Sequence, residues 1–102
     1  MKLNYKIIFH PEAKKELEDL DGSVRIKVLK QIKKLKEKPE LGDGLGNKAG
    51  IDLSGYRKMY ADNKRVRIVY KILEEIIVVY IISIARREDM LVYVKAKSRI
   101  PK

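Results

Sequence analysis

The chain has 102 residues, which suits a single domain spanning 1–102 with a modest hydrophobic core. It contains no cysteine, which excludes disulfides, thiolate nucleophiles and cysteine-bound zinc. The 24 Lys and Arg residues outnumber the 14 Asp and Glu residues, so the formal net charge is +10. This excess favours a polyanionic partner such as nucleic acid, although a charged surface can also serve only to keep a small domain soluble.

The N-terminal segment predicts a strand followed by a helix. Tyr5 to Phe9 is short and rich in residues that favour strands. His10 to Glu12 then opens a helix, because proline is tolerated in the first turn and an acidic residue complements the positive helix end. Three apolar residues follow at helical spacing: Ala13, Leu17 and Leu20.

A second helix is predicted from about Val24 to Glu37. Asp21 to Ser23 interrupts the first helix and caps the second, and Pro39 ends it. So short a connection predicts an antiparallel helical hairpin. The expected buried face comprises Val24, Val28, Ile32 and Leu35, and Leu29 lies beside it.

The segment Leu41 to Ile51 contains four glycines and is predicted to be a loop. It lacks the spacing of a phosphate-binding P-loop, and no helix opening with Gly-Lys-Ser/Thr follows it.

The rest of the chain predicts a sheet, with strands separated by turns at Asp62 to Lys64 and at Glu74–Glu75. A last segment, Glu88 to Arg99, could form a short helix or a strand. The predicted strands are Tyr56 to Tyr60, Arg65 to Leu73 and Ile76 to Ala85. The resulting order is β-α-α-β-β-β plus a short C-terminal element. We therefore expect an α+β fold whose helical hairpin packs on one face of a small, mostly antiparallel sheet and leaves the other face partly open.

The strand Arg65 to Leu73 alternates in a way that exposes one arginine. Val66, Ile68, Tyr70 and Ile72 share one predicted face, and Arg67 lies on the other with Val69 and Lys71. Arginine suits phosphate because its planar guanidinium donates two parallel hydrogen bonds.

The composition argues against several kinds of catalytic site. The one histidine, His10, cannot alone form a catalytic triad or a metal site, and the scattered acidic residues do not suggest a two-metal nuclease. No metal and no cofactor are predicted. Basic and tyrosine side chains in the C-terminal half could instead stabilise the transition state of RNA cleavage without metal. The same residues could equally form a binding face without chemistry.

The sequence resembles RelE/ParE superfamily toxins, and the RelE branch in particular, over nearly its whole length. The segments that carry the resemblance are Tyr5 to Ala13, Leu53 to Lys58, Val66 to Tyr70, Ile84 to Asp89 and Val92–Tyr93.

The resemblance implies a toxin of a type II toxin–antitoxin system that enters the ribosomal A site and cleaves mRNA there by attack of the 2′-hydroxyl. Arg67 would contact the phosphate, Arg87 would stabilise the transition state, and Tyr93 would stack on a codon base and take part in proton transfer. The implied catalytic set is Arg67, Arg87, Tyr93 and Lys58, and the implied RNA-binding set is Arg57, Tyr60, Arg65 and Arg86.

The sequence departs from the family at Tyr60, where the best-known RelE proteins have a second lysine that is a candidate general base. The unperturbed pKa of tyrosine, about 10, makes it a poor base near neutrality unless its environment lowers that pKa. A toxin that keeps only antitoxin binding therefore remains an alternative, as does a ParE-like gyrase inhibitor.

The implied partners are a cognate antitoxin, the ribosome and mRNA, and the resemblance implies that the free toxin is a monomer. A soluble, cytoplasmic protein is expected. The longest apolar run, Ile76 to Ile82, is far shorter than the ~20 residues that span a bilayer, and the polar N-terminus lacks the apolar core of a signal peptide.

Overall fold

The computed structural model describes residues 4–48, 50–86 and 98–99. No helix in these ranges is both long and apolar enough to cross a membrane. In chain order, the helices and strands are β1 (Lys6–Phe9), α1 (Pro11–Glu18), α2 (Gly22–Lys34), β2 (Asp43–Lys48), β3 (Ile51–Ala61), β4 (Val66–Leu73) and β5 (Val78–Arg86).

The five strands form one mixed sheet in the order β1-β5-β4-β3-β2. Strand β1 runs parallel to β5, and the other three neighbouring pairs are antiparallel. Both helices pack on the same side of this sheet, α1 against β5 and α2 against β3. The predicted α+β architecture with a mostly antiparallel sheet is confirmed.

The loop predicted over Leu41 to Ile51 is wrong, because most of it is the strand β2. Backbone pairing with β3 overrides the low strand propensity of its glycines. The register shifts between Gly44 and Gly46, and Gly46 has a φ of 59°, which glycine adopts without a steric penalty. Leu45, between them, is buried in the sheet.

The helices begin much as predicted but differ at their ends. His10 caps α1, because its Nδ1 accepts a hydrogen bond of 3.1 Å from the Glu12 N–H. Helix α2 ends at Lys34, three residues before its predicted end, and a 3₁₀ turn follows at Pro39–Leu41. Leu29, predicted to lie beside the buried face of α2, is 42% exposed.

The main hydrophobic core lies between the helices and the sheet. Its central buried members are Ala13 and Leu17 from α1, Val28 and Ile32 from α2, Leu35, and Ile68, Tyr70, Val79, Ile81 and Ile84 from the sheet. Tyr70 is completely buried, and its hydroxyl donates to the Pro39 carbonyl at 2.6 Å and accepts from the Gly42 N–H at 2.9 Å. These bonds fix the connection between α2 and β2 to the centre of the sheet.

The side of the sheet away from the helices holds a smaller apolar cluster of Leu45, Leu53, Tyr56, Val69 and Ile82. The alternation predicted for β4 is confirmed here, because Ile68 belongs to the main core and Val69 to this second cluster. The C-terminal element predicted over Glu88 to Arg99 lies outside the described residues except for Ser98 and Arg99.

Candidate functional site

Three of the predicted functional side chains meet on the sheet face away from the helices. Tyr60 on β3 is the cross-strand partner of Arg67 on β4, and Lys58 lies two residues before Tyr60 on the same face of β3. The Lys58 Nζ lies 3.0 Å from the Tyr60 hydroxyl, and the Arg67 Cζ lies 5.8 Å from the centre of the Tyr60 ring. We call this cluster of Lys58, Tyr60 and Arg67 the cationic tyrosine site.

The two cations change the acidity of the tyrosine between them. The hydrogen bond with Lys58 lowers the pKa of Tyr60 from its ordinary value of 10.0, Arg67 acts in the same direction, and partial desolvation opposes both. The cations favour the ionised oxygen because they interact with its negative charge. The site can therefore hold a phenolate more readily than free tyrosine can.

Arg67 is held firmly within the sheet. It is only 7% exposed, although it lies on the face away from the helices. Its strand pairs with β3 through Tyr60 and with β5 through Ala85. A guanidinium fixed in this way is preorganised, so it loses little side-chain freedom when it binds an anion.

Helix α2 supports the backbone that carries Tyr60. The pairing between β2 and β3 stops at Lys58, so the backbone at Tyr60 lies beyond it. The Gln31 side chain donates a 2.7 Å hydrogen bond to the Tyr60 carbonyl, and Lys27 forms an ion pair of 3.1 Å with Asp62. Gln31 was not among the predicted residues, and a glutamine within a lysine-rich helix gives no sequence signal of this role.

The remaining predicted residues lie elsewhere. Arg57 donates to the Gly42 carbonyl at 2.8 Å and pairs across the strands with Tyr70, on the helix side. Arg86 pairs with Val66, a member of the helix-side core. Arg65 and Arg86 line a surface cavity with three acidic residues, Asp19, Asp21 and Asp62. Arg87 and Tyr93 lie outside the described residues.

Sequence reasoning missed an ion pair that attaches the C-terminal end of the chain to the sheet. Arg99, whose side chain is 6% exposed, donates to both carboxylate oxygens of Glu16 at 2.9 and 3.1 Å and to the Ile82 carbonyl at 2.8 Å. Glu16 also accepts the Ile84 N–H at 3.0 Å. The pairing between β1 and β5 ends at Ile81. Beyond that point, Glu16 and Arg99 provide hydrogen-bond partners for the backbone groups of β5 that β1 no longer reaches. The partners are 83 residues apart, and no local pattern links them.

The chemistry available in the cationic tyrosine site is that of anion binding and proton transfer. Two cations can hold a phosphate oxygen, and a tyrosine of lowered pKa can exchange a proton with a neighbouring hydroxyl. In the described ranges, no group of three or more His, Cys, Asp or Glu residues is placed to hold a metal ion.

Comparison with known proteins identifies the family. The family model described as the ParE toxin of type II toxin–antitoxin systems, parDE, matches residues 7–91. A solved structure of a mutant Escherichia coli toxin RelE in the free state is 27% identical, with a TM-score of 0.80, over 96% of this chain and 99% of that one. The chain belongs to the RelE/ParE superfamily of toxins, in its RelE branch. The resemblance predicted from the sequence motifs is therefore confirmed.

Two further relatives of this RelE-branch toxin support the same family. A putative RelE-like toxin protein of Escherichia coli is 25% identical over 101 residues, which are 96% of this chain and 99% of the relative. A structure described as the intact Escherichia coli RelBE toxin–antitoxin complex contains a chain that is 27% identical, with a TM-score of 0.66, over 82% of this chain and 98% of that one. The similarity thus extends over almost the full length of each relative.

Proposed function

We propose that this RelE-branch toxin is a ribosome-dependent endoribonuclease that cleaves mRNA in the A site and so inhibits translation in the cytoplasm. The observation that carries the proposal is the cationic tyrosine site. Lys58, Tyr60 and Arg67 come from two neighbouring strands, and their cationic and hydroxyl groups lie together on the face that the helices leave uncovered.

The proposed reaction is attack of the RNA 2′-hydroxyl on the adjacent phosphorus. The O2′–P bond forms and the P–O5′ bond breaks, and negative charge grows on the phosphate oxygens between these events. Arg67 is suited to stabilise that charge, because a buried, fixed guanidinium does not have to reorganise during the reaction. Lys58 supplies a second positive charge, beside the hydroxyl of Tyr60.

The roles of Arg87 and Tyr93 follow from the resemblance to RelE toxins. Arg87 would stabilise the transition state, and Tyr93 would stack on the codon base and give a proton to the leaving 5′-oxygen. The chain leaves β5 close to the site, since Ala85 is the cross-strand partner of Arg67. The segment that carries both residues runs from Arg86, the last residue of β5, to Arg99, which is bound to Glu16 and Ile82.

The cationic surface continues from the site onto the outer side of α2. A shallow groove borders Tyr60 and is lined by the lysines Lys27, Lys30, Lys34 and Lys64. We call it the α2 lysine groove and propose that it contacts the RNA backbone. Arg65 and Arg86 would contact RNA at the surface cavity that they line together with Asp19, Asp21 and Asp62. The hydrogen bonds of Arg57 to backbone carbonyls favour a structural role for that residue.

We also propose that a cognate antitoxin binds and inhibits the toxin. Toxins of the RelE branch are known in complex with antitoxins, as in the Escherichia coli RelBE complex. The net charge of +10 would attract an acidic antitoxin segment as it attracts RNA.

The test is a primer-extension assay on ribosomes programmed with a defined mRNA and incubated with the purified toxin. We expect cuts inside the A-site codon, and we expect Arg87→Ala to slow them ~10²–10³-fold, as loss of one charge-stabilising donor typically does. The matched control is Lys6→Ala, an exposed basic residue on β1, which should cleave normally. Absence of cuts with folded, unsubstituted protein would overturn the proposal.

A second candidate function is inhibition of DNA gyrase, because the family model that matches residues 7–91 is that of the ParE toxins. A gyrase supercoiling assay with the same protein separates the two functions. Loss of supercoiling without mRNA cleavage would establish this alternative.

A further inference from the structure

We infer that Tyr60 is the general base of the cleavage reaction, with its phenolate oxygen taking the proton from the attacking 2′-hydroxyl. This inference rests on the proposed ribonuclease function and goes beyond it, because in the RelE toxins that this chain resembles the candidate for that step is a lysine, which this chain lacks.

The position of the Tyr60 oxygen favours this role. The Lys58 Nζ lies 3.0 Å from it, and Arg67, the proposed phosphate ligand, is the cross-strand partner of Tyr60. A phosphate bound by Arg67 would therefore be close to the tyrosine oxygen. A base must lie within hydrogen-bond reach of the proton that it removes.

The electrostatic environment of Tyr60 differs from that of two other tyrosines in the sheet, Tyr56 and Tyr70. Burial raises the pKa of Tyr56, four residues earlier on β3, and burial also raises the pKa of Tyr70. The hydrogen bond from Lys58, with a contribution from Arg67, lowers the pKa of Tyr60. The two cations that would bind the phosphate therefore also favour the phenolate form of the base.

The proton and bond changes balance without a further reactant. The phenolate of Tyr60 takes the 2′-hydroxyl proton, O2′ forms a bond to phosphorus, and the P–O5′ bond breaks. The leaving 5′-oxygen takes one proton from Tyr93, which regains it from solvent, or directly from water. The products are a 2′,3′-cyclic phosphate and a 5′-hydroxyl, and Tyr60 returns its proton to solvent before the next turnover.

Tyr60 could instead act through its ring, by stacking on a base. The substitution Tyr60→Phe distinguishes the two roles, because it keeps the ring and removes only the oxygen. The matched control is Tyr80→Phe, which removes a hydroxyl from a half-buried tyrosine on β5 that packs against the second apolar cluster.

The experiment measures single-turnover cleavage on programmed ribosomes with saturating toxin, from pH 6 to pH 9. We expect Tyr60→Phe to slow cleavage by ~10²–10⁴-fold, the usual contribution of a general base, while Tyr80→Phe cleaves at the normal rate. Because Tyr60 can act as a base only when it is ionised, cleavage by the unsubstituted toxin should accelerate as pH rises, and Tyr60→Phe should cleave more slowly throughout this pH range. Cleavage by Tyr60→Phe at the normal rate would overturn the role of Tyr60.

Ultraviolet absorbance of tyrosinate provides a readout that does not depend on activity. The titration of the unsubstituted toxin minus that of Tyr60→Phe should show one phenol ionising below pH 10. A phenol ionising at or above pH 10 would overturn the inference. If the unsubstituted toxin fails to cleave any programmed mRNA, the proposed function itself is overturned and the role of Tyr60 with it.

Discussion

Two tyrosines on opposite faces of the sheet lie in contrasting environments. On the helix side, Tyr70 is completely buried, its hydroxyl is bonded to Pro39 and Gly42, and burial raises its pKa. On the other side, Tyr60 is half-buried, and Lys58 and Arg67 lower its pKa. Tyr70 thus serves as a structural hydrogen-bonding group, whereas the cations beside Tyr60 favour its ionised form.

Strand β4 shows how closely the two environments adjoin. Arg67 and Ile68 are consecutive, yet the first belongs to the cationic tyrosine site and the second to the main core. Because successive strand residues point to opposite faces, a single strand can supply both stability and chemistry. Substitutions on the two faces should therefore change different measured quantities.

The largest expected effect on stability is that of Ile68→Ala. Removing this fully buried side chain should lower the free energy of unfolding by about 2–5 kcal/mol, through reduced burial and the cavity left behind. Urea denaturation measures the change, and Glu75→Ala, at an exposed position, is the control. If both substitutions lowered the free energy of unfolding by the same amount, the core on the helix side would not be the main source of stability.

A loss of stability is also expected for Tyr70→Phe. The buried N–H of Gly42 and carbonyl of Pro39 would lose their partner, at a cost of about 1–3 kcal/mol each where the group stays unsatisfied. The raised pKa of Tyr70 adds a pH dependence. Below pH 10 both the folded and the unfolded states keep its proton, and above it the unfolded state ionises first, so stability falls as pH rises.

Urea denaturation at pH 8 and at pH 10.5 tests both parts of this prediction. Tyr70→Phe should be less stable than the unsubstituted protein at pH 8 and should lose less stability between the two pH values. If both proteins lost the same free energy of unfolding between pH 8 and pH 10.5, the ionisation of Tyr70 would not be the cause of that loss.

The smallest expected effect is that of the double substitution Lys30→Ala, Lys34→Ala in the α2 lysine groove. The binding constant for the ribosome should fall. A plot of the logarithm of that constant against the logarithm of salt concentration should become less steep, by about 1 for each phosphate that the groove no longer neutralises. The control, Lys14→Ala with Lys15→Ala, removes the same charge from the exposed side of α1. Equal changes in the two double variants would mean that net charge, and not the groove, attracts RNA.

The sequence predicted those parts of the fold that depend on local patterns. Apolar periodicity predicts strand β1, the helical hairpin and the alternation of β4. The start of α1 follows from His10 and Pro11. Strand β2 was missed because its glycines disfavour strands locally, and only pairing with β3 stabilises it. The ion pair between Arg99 and Glu16 was missed because it joins opposite ends of the chain.

The candidate site was predicted in part. The alternation of β4 indicated that Arg67 faces away from the core, and the family motifs pointed to Lys58 and Tyr60. The sequence could not show that Arg57 turns to the helix side, because its direction depends on the register between β3 and β4. Nor could it show the lowered pKa of Tyr60, which arises from contacts across two strands.

The central claim is that the cationic tyrosine site cleaves RNA, and the most direct test is the single-turnover cleavage rate of Arg67→Ala on programmed ribosomes, per folded molecule. The control is Lys71→Ala, which removes a cation four residues along the same strand, about 13 Å away, where Lys71 lies over the Tyr56 ring. We predict that Arg67→Ala cleaves ~10²–10³-fold more slowly and that Lys71→Ala cleaves normally. Cleavage by Arg67→Ala at the normal rate would contradict the account.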